Sequence, residues 1–376
     1  MWEKWFRQLV SGERRGLWAF FLRLFFWCVS IFYGFVVQVR NFLYDKKILK
    51  IHKTNIPIVS VGNLTLGGTG KSPMVAWICE YFIEQGLQPA IISSGYKHNK
   101  TKNTNNTTNK TEVNDEYLEL AFRLPNVCHF QNRDRVFAVC ELLDFVGRSG
   151  GVVDIVVLDD GMQHRRLQRD FEIVLLDAML PFGYGYFFPR GFLRESLRGL
   201  RRADVVLLSR ADCISEVERQ NIAAKVCEIS PNAIYAEVIH SPDKIIYYGG
   251  VESAADSICG KNILAFCGIG NPNAFYSTLQ KKSDGQIHFV QFPDHYSYTK
   301  DDFIRIMQDA ISLQVDIVIC TMKDFVKINQ LLNSLPESDL AQQLLTKIPI
   351  AALTIQIKFL TNESQFKETL NKKFKV

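Results

Sequence analysis

The chain has 376 residues, 47% hydrophobic and 22% charged, with a formal net charge of +5. This is globular composition with room for two domains, and the mild positive charge suits an anionic substrate or membrane surface without arguing for nucleic acid. The 9 cysteines are odd in number and form no Cys-x-x-Cys pair, which disfavours a disulfide framework or a zinc site and points to a reducing cytosol.

Leu17 to Val39 is the first conspicuous segment. It is aromatic-rich and apolar, broken by Arg23 and Gln38. A spanning helix needs ~20 apolar residues, so this one nearly qualifies. Trp2, Trp5 and Trp18 crowd the start and no small-residue cleavage site follows, which disfavours a secretory signal. Arg14 and Arg15 on one side and Arg40, Lys46 and Lys47 on the other leave orientation undecided. A core helix of a soluble domain is one reading. Membrane contact, mainly in the interface plane, is the expectation carried forward.

Strands and helices then alternate. Ile56 to Val61 is a β-branched run ending at Gly62 and reads as a buried strand. Ser72 to Gln85 has helical spacing, with Val75, Ile78, Cys79 and Phe82 on one face and Gly86 at its end. Ala90 to Ser94 reads as a strand. Lys97 to Asn114 is rich in Asn, Thr and Lys, cannot bury a core, and reads as a mobile surface loop. Arg135 to Val146 reads as a helix.

Val152 to Leu158, Ile173 to Leu176, Val205 to Leu208 and Ile317 to Cys320 are short continuous apolar runs. Such runs between helices imply a parallel sheet covered on both faces. Ile234 to Tyr248 reads as short strands with turns, a candidate hinge. Ile263 to Phe266 opens a second α/β unit. The expected domains are an N-terminal membrane-associated helix (1–45), a P-loop domain (46–233), a hinge and linker (234–260) and a smaller α/β domain (261–376). The C-terminal end of the last has the option of packing back on the P-loop domain.

The chemistry begins at Gly67-Gly68-Thr69-Gly70-Lys71-Ser72. It lies between a strand and a helix, where backbone N–H groups and a helix N-terminus can cradle phosphates. Lys71 is expected to reach the β- and γ-phosphates of a nucleotide and Ser72 to ligate Mg²⁺. The strict pattern places a glycine where this chain has Thr65, so the loop is a variant. The strand ending in Asp159-Asp160-Gly161 has its acids where P-loop folds hold a metal ligand, although Asp-Gly is also a common turn. Gln163 and His164 follow at the same edge. His295, in Phe292-Pro293-Asp294-His295-Tyr296, is either a proton acceptor or a structural histidine. Asp115-Glu116 carries little alone. Phe182 to Glu195, followed by Arg198, Arg201 and Arg202, reads as an aromatic, glycine-rich segment and a basic helix able to hold a sugar phosphate, or as a solvated charged face.

Together and in this order, these segments resemble the tetraacyldisaccharide 4′-kinase family, which phosphorylates a lipid A precursor. The resemblance rests on Ser60 to Pro73, Asp159 to His164, Gly191 to Glu195, Phe266 to Pro272, Phe292 to Tyr296 and Lys323-Asp324. It implies a P-loop α/β domain hinged to a smaller α/β domain. It also implies ATP-dependent, Mg²⁺-assisted phosphorylation of the 4′-hydroxyl of a tetraacyldisaccharide 1-phosphate at the cytoplasmic face of the inner membrane, peripheral or monotopic. By position, Lys71 is catalytic, Ser72, Asp159 and Asp160 hold metal, and Asp115 with His295 forms an acid–histidine dyad that activates the sugar hydroxyl. Arg135, Arg194, Gln163 and His164 fall near substrate or behind the contacting residues. The partners implied are an anionic acylated disaccharide lipid and a membrane surface, with neither nucleic acid nor a protein partner. The chain departs from the family pattern at Ser94 (usually Arg), Asn114 (Gly), Phe192 (Pro) and Met322 (Glu). The rival reading of the residues is a membrane-bound nucleotide switch or transport ATPase, which would hydrolyse nucleotide without lipid and would not need His295; a lipid-binding scaffold leaves Lys71-Ser72 and Asp159-Asp160 without a role.

Overall fold

A computed structural model describes residues 2–95, 115–336 and 338–375. In chain order the elements are α1 (Trp2–Ser11), α2 (Leu17–Asp45), β1 (Ile58–Asn63), α3 (Lys71–Glu84), β2 (Pro89–Ser93), α4 (Asp115–Arg123), β3 (Cys128–Gln131), α5 (Arg135–Ser149), β4 (Ile155–Asp159), β5 (Phe171–Asp177), β6 (Val205–Ser209), α6 (Glu216–Ile229) and β7 (Ile234–Tyr247). There follow β8 (Glu252–Ala254), β9 (Ile263–Cys267), α7 (Pro272–Gln280), β10 (Ile287–Gln291), α8 (Lys300–Ser312), β11 (Ile317–Thr321), α9 (Met322–Asn333), α10 (Leu340–Leu345), β12 (Ile350–Thr361) and α11 (Glu363–Phe374). The surface loop expected over Lys97 to Asn114 lies outside the described residues.

The chain forms two compact units: Met1–Lys102 with Val127–Ile239 and Ile357–Val376, and Asn103–Asn126 with His240–Gln356. In unit 1 the strands run β3-β2-β4-β1-β5-β6-β7, all parallel. Every residue of β1, β2, β4 and β6 is buried, which explains their unbroken apolar reading: both faces carry helices or loops. Val61 of β1 is level with Asp159 of β4, so the loop after β1 and the acids after β4 emerge at one sheet edge. That edge is tight. A Cβ on Gly62 would lie 2.5 Å from the Met162 Cβ.

In unit 2, β10, β9, β11 and β12 are parallel in that order, and β8 pairs antiparallel with β7. One core cluster contains Phe266, Phe303, Phe325 and Leu332, against which Leu118 and Phe122 of α4 pack. Residues 115–126 therefore group with this unit, a departure from the reading that assigns 46–233 to one domain. Their apolar face is buried against α9 and the core of this unit.

Two local expectations change. Ile234 to Tyr247 is a single strand and not a set of short ones; ladder pairing on both halves outweighs the Ser241-Pro242-Asp243 turn signal, which proline tolerates at strand positions that need no N–H donor. The basic helix after Glu195 is only the six-residue 3₁₀ turn Leu197–Arg202. Arg198 and Arg201 stay exposed, Arg201 donating to the Ile229 carbonyl at 3.2 Å, while Arg202 pairs with buried Glu195 at 2.6 Å.

Helix α2 is 29 residues long and apolar enough to cross a membrane by length and composition. Its buried residues are Ala19, Ser30, Gly34 and Val37, whereas Trp18, Phe21, Phe25, Phe32 and Phe35 are exposed. The core-helix reading is thereby excluded, since a core helix buries its large side chains. The inner side is seated on unit 1. Phe26 meets Phe6 of α1, the Tyr33 hydroxyl donates to the Arg194 carbonyl at 3.1 Å, and Asn41 donates to Glu195 at 3.3 Å.

Candidate active site

The glycine loop of unit 1 joins β1 to α3. Gly70, at φ 86°, precedes the first turn of α3, and no side chain caps that turn. Its N–H groups are thus offered to an external acceptor, the arrangement by which helix N-termini bind phosphate. The Thr69 hydroxyl oxygen is buried and has no partner among the described residues. Lys71 and Ser72 open the helix beside it. A buried donor without a partner, uncapped N–H groups, a lysine and a hydroxyl together fit a nucleotide triphosphate with its Mg²⁺.

The nonstandard start of the loop has a structural cause. Thr65, standing where the strict pattern has glycine, forms a β-bridge with Leu193. The Leu66 N–H donates to the Phe192 carbonyl and the Arg194 N–H to the Leu64 carbonyl, each at 2.8 Å. The Gly191–Arg194 segment thus holds the upstream half of the loop as a short strand pair, where a side chain is tolerated. Arg210 braces the other half, donating to the Gly68 carbonyl at 2.7 Å while pairing with Asp177. The sequence reading missed Arg210, although its place directly after an apolar strand at the same sheet edge is the signal that could have found it.

Asp159 is buried, with its carbonyl accepting from Arg135 at 3.3 Å. Arg135 is itself buried and also donates to the Asn132 carbonyl at 2.6 Å; burial holds its guanidinium below its usual range, with Asp159 and Asp160 opposing. Arg135 therefore props the end of β4 from behind, in addition to lining a cavity of about 350 Å³ with His164, Arg133 and Arg166. Desolvation, then the charge of Arg135, pushes His164 down to about 4, so it is neutral at neutral pH.

Asp160 is the charged hinge-point of the loop edge. Arg194 engages both its oxygens, at 2.7 and 2.6 Å, and also reaches the Asn63 side chain at 2.9 Å. The Lys71 Nζ lies 3.7 Å from the same carboxylate. Gln163 is a brace: its amide donates to the Asn63 carbonyl at 2.9 Å and to Glu195 at 3.0 Å. In unit 1 the structure thus brings together Lys71, Asp159, Asp160, Gln163, His164, Arg135 and Arg194.

Unit 2 brings together the other pair. The His295 Nδ1 lies 3.0 Å from the Asp115 Oδ2, across 180 residues of sequence. Asp115 is the first residue of α4, where negative charge is favoured by the helix dipole. His295 has φ +58°, a region that costs a non-glycine residue on the order of 1–3 kcal/mol, and its N–H is tied to the Gly268 carbonyl at 3.2 Å. Gly268 in turn donates to buried Asp324 at 3.0 Å, which also accepts from Tyr298 at 3.0 Å and Thr321 at 2.6 Å. The Lys323 Nζ is 3.3 Å from the His295 Nε2. With a lysine at Nε2 and a carboxylate at Nδ1, the neutral ring carries its proton on Nδ1. Asp294, the sequence neighbour, is 4.0 Å from the ring, so the distant Asp115 is the closer carboxylate.

The chain is similar to known proteins over most of its length. A family model described as tetraacyldisaccharide-1-P 4′-kinase matches residues 22–375. A tetraacyldisaccharide 4′-kinase of Halothermothrix orenii is 34% identical over 316 residues, covering 79% of this chain and 81% of that protein. One from Syntrophus aciditrophicus is 33% identical, covering 80% and 82%. A crystal structure of an "apo" form of LpxK from Aquifex aeolicus in complex with ATP superposes with a TM-score of 0.68 at 26% identity, covering 94% of this chain and 99% of that one. With a match that spans nearly its whole length, from the second turn of the apolar helix to the last helix, this chain belongs to the tetraacyldisaccharide-1-P 4′-kinase family.

Proposed function

We propose that the chain transfers the γ-phosphoryl group of ATP to the 4′-hydroxyl of a tetraacyldisaccharide 1-phosphate, using the loop edge of unit 1 to hold phosphates and the Asp115–His295 dyad of unit 2 to take the hydroxyl proton. The observation that carries the residue roles is the Nδ1–Oδ2 contact of 3.0 Å, because a switch or transport ATPase has no use for a proton acceptor aimed at an alcohol.

Gly67, Gly68, Thr69 and Gly70 present N–H groups and the Thr69 hydroxyl to the phosphates, and Lys71 neutralises their charge. Ser72 and Asp159 would hold Mg²⁺, which when bound offsets charge developing on the transferred group. Asp160, gripped by Arg194 in this structure, keeps Arg194 and Lys71 oriented and is not assigned to the metal. Asp115 accepts the 4′-hydroxyl proton as that oxygen bonds to the γ-phosphorus and ADP departs. His295 donates from Nδ1 to the Asp115 Oδ2 and so holds one of the two carboxylate oxygens. Positioning and electrostatics supply most of the rate in such transfers.

The substrate is acylated, and helix α2 supports a membrane-surface location on the cytoplasmic side, where ATP is available. Contacts at Phe26, Tyr33, Gly34 and Asn41 hold α2 along unit 1. At 1.5 Å per residue those contacts extend over roughly 20 Å of helix, which favours lying in the interface over leaving the domain to span.

The test is incubation of purified protein with ATP, Mg²⁺ and a disaccharide 1-phosphate lipid, followed by mass spectrometry. A product heavier by one phosphate is expected. ATP hydrolysis of equal rate without lipid, and no phosphorylated lipid, would transfer the chain to the switch or ATPase reading.

A further inference from the structure

Lys327 belongs to none of the motifs singled out in the sequence, yet it touches the dyad directly. It lies one helical turn beyond Lys323 on α9, so the two ammonium groups face the same way. The Lys327 Nζ is 2.7 Å from the Asp115 Oδ2 and 3.0 Å from the Tyr296 carbonyl. Both members of the ion pair are largely enclosed, with side-chain exposures of 12% and 16%, so the contact is not a loose surface pair.

We propose that Lys327 is a positioning residue of phosphoryl transfer, clamping the Asp115 carboxylate and the backbone beside His295 so that the Asp115 Oδ1 is the oxygen presented to the acceptor hydroxyl. This rests on the reading of Asp115–His295 as the proton acceptor.

Three observations converge on it. The Asp115 Oδ2 receives two donors, the His295 Nδ1 and the Lys327 Nζ, which leaves Oδ1 as the oxygen neither contact uses. A carboxylate held by one donor can swing about its Cβ–Cγ bond; one held by two donors from different elements cannot do so without breaking a bond. Second, Lys327 spans the dyad, one hydrogen bond going to Asp115 of α4 and the other to the residue following His295. The loop it grips is strained at His295, and strain persists only where several contacts determine it. Third, the division of labour along α9 is consistent. Lys323 addresses the His295 Nε2, Asp324 holds Gly268 and through it the His295 N–H, and Lys327 addresses Asp115. One helix thus fixes both ends of the dyad. Lys327 is not itself in contact with the reacting atoms, so its effect must pass through Asp115.

The decisive experiment is a double-mutant cycle on the full-length protein, with Lys327→Met, Asp115→Ala and the pair, reading kcat and KM for ATP with the disaccharide 1-phosphate lipid. Lys327→Gln is measured in parallel: it retains a donor for the Tyr296 carbonyl and loses the charge, and thermal melts identify which variant is folded. Lys327→Met is expected to lower kcat by about 10- to 100-fold with the KM for ATP within about twofold, a fraction of what a general base contributes. In the double variant kcat should equal that of Asp115→Ala, because a residue acting only through Asp115 has nothing left to act on. A near-normal kcat in a folded Lys327 variant, or losses that multiply in the pair, would overturn the role of Lys327. Near-normal turnover in Asp115→Ala would instead overturn the dyad itself, so the two failures are distinct.

Discussion

Arg194 grips Asp160 with two parallel hydrogen bonds, of 2.7 and 2.6 Å, while its own carbonyl accepts from Tyr33 of the exposed apolar helix at 3.1 Å. A single residue thus joins the exposed apolar helix to the charged edge of the phosphate loop. Bidentate guanidinium–carboxylate pairing is directional, so Asp160 and Lys71 inherit their orientation from it.

Arg194→Lys keeps the charge and loses the fork. The expected result is a kcat about 10-fold lower, with Arg194→Ala lower still, because a point charge cannot reproduce a planar two-bond contact. Steady-state kinetics with ATP and lipid check this. Equal rates in wild type and Arg194→Lys would mean that only charge matters at this position.

Gly34 of α2 lies tight against the aromatic segment before Arg194. A Cβ there would lie 2.6 Å from the Phe187 ring. Gly34→Leu should cost about 1–3 kcal/mol by overpacking and release α2 from the Arg194 segment. Chemical denaturation gives the stability change, and lipid phosphorylation should fall more than ATP binding. A variant with wild-type stability would show that the ring simply moves aside.

Glu119, one turn beyond Asp115 and half-buried, supplies a pH signature. Desolvation pushes its carboxyl from 4.5 up to about 7, with Lys323 and Arg123 opposing. The folded state therefore binds the proton more tightly than the unfolded state does. The contribution of this group is fully present below 4.5 and is lost as the pH rises to about 7, where the folded state must ionise a desolvated acid. Glu119→Gln removes that loss. The Tm of the variant relative to wild type should rise across this window and level off above it; a difference independent of pH would contradict the assignment.

Asp324 is buried and accepts from Gly268, Tyr298 and Thr321. Burial raises its pKa, and those hydrogen bonds oppose the shift. Asp324→Ala leaves several buried donors unmatched, at about 1–3 kcal/mol each when no water replaces the partner. Stability should fall by a few kcal/mol, and kcat should fall as the His295 loop loses its anchor. Urea unfolding and kinetics on the same preparation test both parts.

The last helix carries a measurable share of unit 1. Phe366 is fully buried, and its ring lies 5.6 Å from both Trp77 and Phe359 and 6.5 Å from Phe171. Phe366→Ala should cost about 3–5 kcal/mol, in the range for emptying an aromatic site in a core. Because Trp77 is on α3, which begins at Lys71, the loss should also weaken ATP binding. Trp77 fluorescence reports the packing change directly.

The sequence by itself determined what is local. Unbroken apolar runs such as Val205 to Leu208 identified buried parallel strands, because a strand covered on both faces has no polar alternation to show. Gly70-Lys71-Ser72 between a strand and a helix identified the phosphate cradle, because its chemistry resides in consecutive backbone N–H groups. The place of Asp159 and Asp160 at a sheet edge is legible too, because they end and directly follow an apolar strand. Only the tertiary structure decided what depends on distant pairing. Thr65 is accommodated because Leu193 bridges to it, Arg194 meets Asp160, Arg210 braces Gly68, and Lys327 reaches Asp115. Asp115 was placed by family resemblance and not by its neighbours in sequence, since an acid at the start of a helix is ordinary. Its side chain meets a histidine 180 residues away and a lysine on another helix, contacts that side-chain periodicity along one element does not encode.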